Sequence, residues 1–219
     1  MALDIIYEDE WLVAINKPVS MLVHPGREKE PDDQIAMKAL RNHLGHYVYI
    51  LHRLDRPTSG VLLFAKSQEA QTKVSIIFQE RQIKKRYFAL VRGKTTGKFT
   101  VDKPINRAHD EIPRPSLTEF KTLETATIIE LNQDFSLLDC KPETGRIHQI
   151  RKHLESVGHA IMGDYLYGDI EENDAFAENT GIKRMMLMSR LLAFRHPFTG
   201  QEIRIELSCP EEFTQIFNQ

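Results

Sequence analysis

His52-Arg53-Leu54-Asp55-Arg56-Pro57-Thr58-Ser59-Gly60 puts a carboxylate two residues after an arginine, in a segment that cannot continue as helix. Aspartate is ordinarily ionised at about pH 7. Held beside a guanidinium, it can act as nucleophile or electrostatic stabiliser, but not as a general acid. Pro57 disfavours the helical region at Arg56 and fixes its own φ. Thr58, Ser59 and Gly60 are turn formers, and the apolar run Val61-Leu62-Leu63-Phe64-Ala65 behind them reads as a buried strand. Asp55 is therefore expected on a punctuated turn against a rigid element, where reactive side chains are often found. An ordinary turn aspartate paired with Arg53 fits the same residues, and this stretch alone leaves both readings open.

Two further clusters carry charge beside rings or apolar stripes. Lys84-Lys85-Arg86-Tyr87-Phe88-Ala89-Leu90-Val91-Arg92-Gly93 alternates as a strand, with aromatic rings that could stack on bases and cations that could meet phosphates. A core tyrosine is the plainer reading of Tyr87. In Thr144-Gly145-Arg146-Ile147-His148-Gln149-Ile150-Arg151-Lys152-His153, a glycine opens a helix expected over 146–157. There His148, Arg151 and Lys152 form a polar stripe, and a phosphate would suit the helix start. A solvated basic face is the alternative.

Several chemistries are excluded. The nine histidines show no His-Glu-x-x-His arrangement, and Cys140 and Cys209 lie too far apart in sequence for a zinc ribbon. Phosphate-loop, dinucleotide and nucleophile-elbow patterns are absent, so no metal and no cofactor are expected. The two cysteines fit a reducing, cytoplasmic compartment. No apolar run is long enough for a membrane span, and Met1-Ala2-Leu3-Asp4 does not open a signal peptide. The net charge is only −2, but Lys73, Arg81, Lys84, Lys85, Arg86, Arg92, Lys94 and Lys98 are clustered with Glu80 as the one acid among them. One such face can bind a polyanion, and a solvated helix end and strand edge fits the same residues.

The elements that must hold these residues read as α+β with a mostly antiparallel sheet, because many short strands occur without regular strand–helix alternation. An opening hairpin is expected around Glu8-Asp9-Glu10, and a helix capped by Asp32 or Asp33 should run to Leu44 and stop at Gly45. Ser67 should cap a helix to about Arg81. Residues 103–116, with Pro104, Pro113 and Pro115, read as a long surface loop. Strands follow near 117–131 and 135–141. The acidic run Asp169, Glu171, Glu172, Asp174 and Glu178 reads as loop. A hairpin through Pro197-Phe198-Thr199-Gly200 and a short helix over 211–218 end the chain.

Taken together, the three clusters resemble the pseudouridine synthases, in the large branch typified by enzyme A of ribosomal and transfer RNA. The resemblance runs from Tyr7-Glu8-Asp9-Glu10-Trp11 to His196-Pro197-Phe198-Thr199-Gly200, nearly the whole chain. It implies a single catalytic domain over 1–219, a mostly antiparallel mixed sheet with flanking helices around a central RNA-binding cleft. It also implies no N-terminal S4-type RNA-binding domain. Asp55 would be the essential aspartate, Tyr87 the ring on the target base, and Arg151, rather than Arg53, the charge partner of Asp55. His52, Arg53, Thr58, Lys85, Arg86, Arg146, His148 and Lys152 would meet RNA. The implied reaction detaches uracil at N1, turns it and rejoins it at C5, on a base flipped from the stack. A tRNA stem is the favoured substrate, with ribosomal RNA, alone or with tRNA, as the alternative. A non-catalytic RNA-binding or chaperone protein is the reading of another class. RNA is the expected partner, with no membrane and no obligate protein partner, the chain acting as a monomer. Met188-Ser189 departs from the His-Ala common among relatives.

Overall fold

The computed structural model describes residues 3–25, 34–106 and 112–217. Its chain divides into two compact units: residues 1–85 with 188–207, and residues 86–187 with 208–219. Asp32 and Asp33, the expected helix caps, lie outside the described residues.

In the first unit β1 (Ile5–Glu8) and β2 (Leu12–Lys17) form the expected antiparallel hairpin. The Asp9 carboxylate closes it by accepting the Trp11 and Leu12 N–H groups at 2.8 and 2.7 Å. Helix α1 (Ala36–Leu44) stops at Gly45, whose φ of 75° is the left-handed cap. The short β3 (Tyr49–Ile50) and β4 (Ser59–Ala65) follow, with β4 between β2 and β9 (Leu187–Arg195). Every residue of β4 is buried, as its unbroken apolar run demands. Helix α2 (Gln68–Gln79) starts where expected: the Ser67 hydroxyl accepts the Ala70 N–H at 3.1 Å. Its Ala70, Val74 and Ile77 pack on Leu12, Ala14, Val61 and Leu63 of the sheet. The unit is closed by β9 and β10 (Glu202–Glu206), an antiparallel hairpin. His196 at its turn accepts the Phe198 and Thr199 N–H groups at Nδ1, so Nε2 carries the proton and lies 3.2 Å from Asp9.

The second unit is built on β5 (Lys84–Arg92), β6 (Lys98–Val101), β7 (Thr118–Ile128) and β8 (Gln133–Pro142), ordered β5-β8-β7-β6 and antiparallel throughout. Two expectations are corrected here. The third cluster's helix, α3, spans only Gln149–Glu155, because His148 is left-handed at φ 53° and 146–148 form a turn instead. The helix start expected after Gly145 is therefore displaced to Gln149. The acidic run is not a loop but helix α4 (Ile170–Thr180). Asp169 caps it by accepting the Glu172 N–H at 3.0 Å, and Glu171 and Glu172 oppose its N-terminal dipole. Phe176 anchors it on Phe135, ring centroids 5.3 Å apart. Helix α5 (Glu211–Thr214) ends the described chain with a 3-10 turn.

Candidate functional site

Asp55 sits, half-buried, in a turn closed by the Thr58 N–H donating to its carbonyl at 3.0 Å. That turn is held from both sides. Below it lies Lys17, wholly buried at the end of β2, whose ammonium donates to the carbonyls of Pro18, Met21 and Arg56 at 2.9, 2.9 and 3.1 Å. A buried cation is tolerated only when its donors are spent. Here they are spent on backbone, one of them adjacent to Asp55. On the far side, Gly60 has φ 103° and pairs with Ser189 in the short parallel contact of β4 with β9. A Cβ at Gly60 would lie 2.0 Å from the Ser189 carbonyl oxygen, so only glycine permits this approach. The chain thus enters the turn over a lysine and leaves it through a glycine.

The other expected residues of this unit separate into two groups. Arg53 is exposed, and its guanidinium donates to His24 Nε2 at 3.1 Å. His52 instead turns inward: Nε2 accepts the Leu63 N–H at 3.0 Å, and the ring stacks on Phe78, centroids 5.2 Å apart. Burial first, then the charge of Lys85, lowers its pKa to about 3, so it is a neutral acceptor rather than a phosphate-binding cation. Lys85 lies 5.0 Å from the centroid of the same Phe78 ring, with its pKa lowered by burial. Thr58 is only 2% exposed. Thr58 is thus buried within the turn, and the His52 ring is engaged by Leu63 and Phe78.

In the second unit Tyr87 lies half-buried on β5 opposite Cys140 of β8. Arg86 is ion-paired with the buried Asp139. Arg151 is 5% exposed on α3, and Asp164 grips its guanidinium in two hydrogen bonds, Nε to Oδ2 at 2.7 Å and Nη2 to Oδ1 at 2.8 Å. Two oxygens facing a planar fork fix orientation as well as charge. Asp164 is itself fixed: Oδ1 accepts the Leu166 and Tyr167 N–H groups at 3.1 and 3.2 Å. The Tyr167 ring lies 4.9 Å from the Arg151 guanidinium, and its hydroxyl lies 2.9 Å from His148 Nδ1. Asp164 was not singled out from the sequence. Its signal was an isolated acid in Gly163-Asp164-Tyr165-Leu166-Tyr167-Gly168, a glycine-bounded segment that cannot be helix.

Arg146 and Lys152 have their polar ends on backbone carbonyls, Arg146 Nε donating to Pro115 at 3.3 Å and Lys152 Nζ to Asn106 at 3.3 Å. Each unit thus offers one chemically distinctive group on a stiff support, a carboxylate in the first and an oriented guanidinium in the second. Among the described residues no cluster of three or more His, Cys, Asp or Glu could hold a metal ion.

Known proteins were compared with the whole chain. A family model described as RNA pseudouridylate synthase matches residues 11–156. The tRNA pseudouridine synthase C of Pasteurella multocida is 37% identical over 233 aligned residues, spanning 100% of this chain and 96% of its own length. That of Haemophilus ducreyi is 38% identical over 233, with the same coverage. Among solved structures, human RNA Pseudouridylate Synthase Domain Containing 1 superposes with a TM-score of 0.79 at 27% identity, covering 95% of this chain and 84% of that one.

Proposed function

Because the chain belongs to the RNA pseudouridylate synthase family, we propose that it converts a specific uridine of a tRNA stem to pseudouridine. In this reading 1–219 is one catalytic domain to which both units contribute. Asp55 engages the sugar–base system as the C1′–N1 bond breaks. The detached uracil turns, C1′ bonds to C5, and the C5 proton leaves while N1 gains one, so the reaction is an isomerisation. Tyr87 stacks on the uracil, and Arg151 neutralises and orients the Asp55 carboxylate. Arg53, whose guanidinium is exposed, occupies the space left by the flipped base or holds the backbone. Lys85, Arg86, Arg146, His148 and Lys152 line the approach of the phosphates, sharing their polar ends with the protein's own acceptors.

The observation that carries the reading is the Asp55 turn, fixed by Lys17 and Gly60, on a chain matching tRNA-modifying relatives along its full length. tRNA is favoured over ribosomal RNA because both relatives described above are tRNA enzymes by name. The protein works in the cytoplasm with its tRNA, as a monomer. Asp55→Asn should abolish pseudouridine formation in tRNA carrying a C5 tritium label while leaving tRNA binding within about threefold, since a charged group is replaced by a neutral one of the same shape at a single position. Retained tritium release would overturn the role of Asp55. Pseudouridine mapping in a deletion strain should lose at least one tRNA position, and a strain losing only ribosomal positions would overturn the tRNA assignment.

A further inference from the structure

Helix α3 is seven residues long and begins after a left-handed residue, so its own hydrogen bonds cannot make it rigid. What fixes it must come from its surroundings. Arg151 projects towards Asp164. Gln149 and His153, each two positions away and four apart from one another, share the opposite face. That face carries a continuous polar seam. The Gln149 side chain makes four hydrogen bonds: Oε1 accepts from the Thr144 hydroxyl at 2.6 Å and the Arg146 N–H at 3.0 Å. Nε2 donates to the Leu117 carbonyl and the Thr118 hydroxyl, both at 2.9 Å. The Thr118 hydroxyl lies 2.9 Å from His153 Nδ1. His153 Nε2 lies 3.0 Å from the Lys103 carbonyl, which can only accept, and 3.0 Å from the Ser116 hydroxyl. Nε2 therefore carries the proton, and Nδ1 accepts from Thr118. Ser116 completes the seam by donating to the same Lys103 carbonyl at 2.6 Å.

Thr118, His153, Ser116 and Gln149 are 0%, 1%, 1% and 5% exposed. None of them carries a formal charge in this arrangement, so the seam has directional bonds without the cost of a buried ion. An apolar contact would bury this face equally well but would let the helix slide or rotate. A satisfied hydrogen-bond network selects one register.

We propose that Gln149, Thr118 and His153 are positioning residues that fix the axial rotation of α3 and thereby the direction of the Arg151 guanidinium. The proposal rests on the role given to Arg151 above. Thr118 is the keystone, since its one hydroxyl both accepts from Gln149 and donates to His153. Misplacing a catalytic group by an ångström costs up to about a hundredfold in rate.

The test is single-turnover pseudouridine formation on tRNA purified from a deletion strain, at saturating enzyme, with tRNA affinity and thermal unfolding measured alongside. Thr118→Val keeps the shape of the side chain and removes the hydroxyl. It should slow the step by about tenfold or more with tRNA affinity within about threefold, while Thr118→Ser restores the rate. In an Arg151→Lys background the same Thr118→Val change should cost less than about twofold, because the group it positions is already impaired. If Thr118→Val does not fold, His153→Asn is read in the same two backgrounds with the same expectation. An unchanged rate, a loss confined to tRNA affinity, or an equal factor in both backgrounds overturns the seam and leaves Arg151 in place. Arg151→Lys protein as fast as the wild type overturns the role of Arg151 and the seam with it.

Discussion

A histidine three residues from the Asp55 carboxylate invites a role in proton transfer, but His52 is already employed. Its Nε2 accepts the Leu63 N–H, and burial holds its pKa at about 3. The unfolded chain protonates this ring near pH ~6.5, whereas the folded protein does so only near pH 3. The unfolded state therefore binds more protons in between, and stability is lost as pH falls through that window. Burial lowers the pKa of His153 as well, with the same sign. His52→Gln, whose amide oxygen can accept the same N–H, should be less stable at about pH 7 yet lose less on acidification to about pH 5. Melting temperatures of the two proteins across that range check this, and parallel curves would refute it. Ser189 gives a second prediction at this scale. Its hydroxyl is buried with no hydrogen-bond partner among the described residues. Ser189→Ala removes a desolvated group that gains nothing, so denaturant unfolding should show stability unchanged or raised by about 1 kcal/mol. This gives the departure at Met188-Ser189 a physical content: the serine is tolerated by the packing and not required by it.

The elements were legible where one local signal decides. Ser67 before a periodic apolar stripe announced α2, Gly45 its left-handed stop after α1, and Pro57 to Gly60 the turn of Asp55. They were illegible where the deciding partner is distant. Helix α4 shows a polar, acidic face with only Asn173 and Phe176 buried, so its composition looks like loop until Asp169 is seen to cap it. The start of α3 is hidden because nothing in Arg146-Ile147-His148 announces that His148 is left-handed. Asp164 was invisible as the Arg151 partner because the two are joined by a fold of the chain rather than by helical spacing. Two predictions belong here. Gly60→Ala forces a Cβ onto the Ser189 carbonyl and should both lower the melting temperature and slow turnover, the paired loss showing that the Asp55 turn has moved. Asp164→Asn leaves the buried Arg151 charge half-paired. It should destabilise by up to about 3–5 kcal/mol, read by urea unfolding, and an unchanged midpoint would show that the pair is dispensable.

For the molecule as a whole, net charge is a poor guide to its partner. At −2 the chain is nearly neutral, yet its basic residues are concentrated in sequence between Lys73 and Lys98, where Lys73, Arg86 and Arg92 are ion-paired with Glu69, Asp139 and Glu172. Affinity for tRNA should fall steeply with added salt through counterion release, while the single-turnover rate at saturation changes little. A salt-insensitive affinity, measured by filter binding, would point to recognition without phosphates. No helix among the described residues is long and apolar enough to cross a membrane.

The meeting of Gly60 with Ser189 joins positions far apart in the chain, because the first unit is made of residues 1–85 and 188–207 with the whole of another stretch between them. Loop closure over that span is slow compared with forming local hairpins and helices. During synthesis on the ribosome, the Asp55 turn therefore stays without its glycine-side support until β9 has emerged.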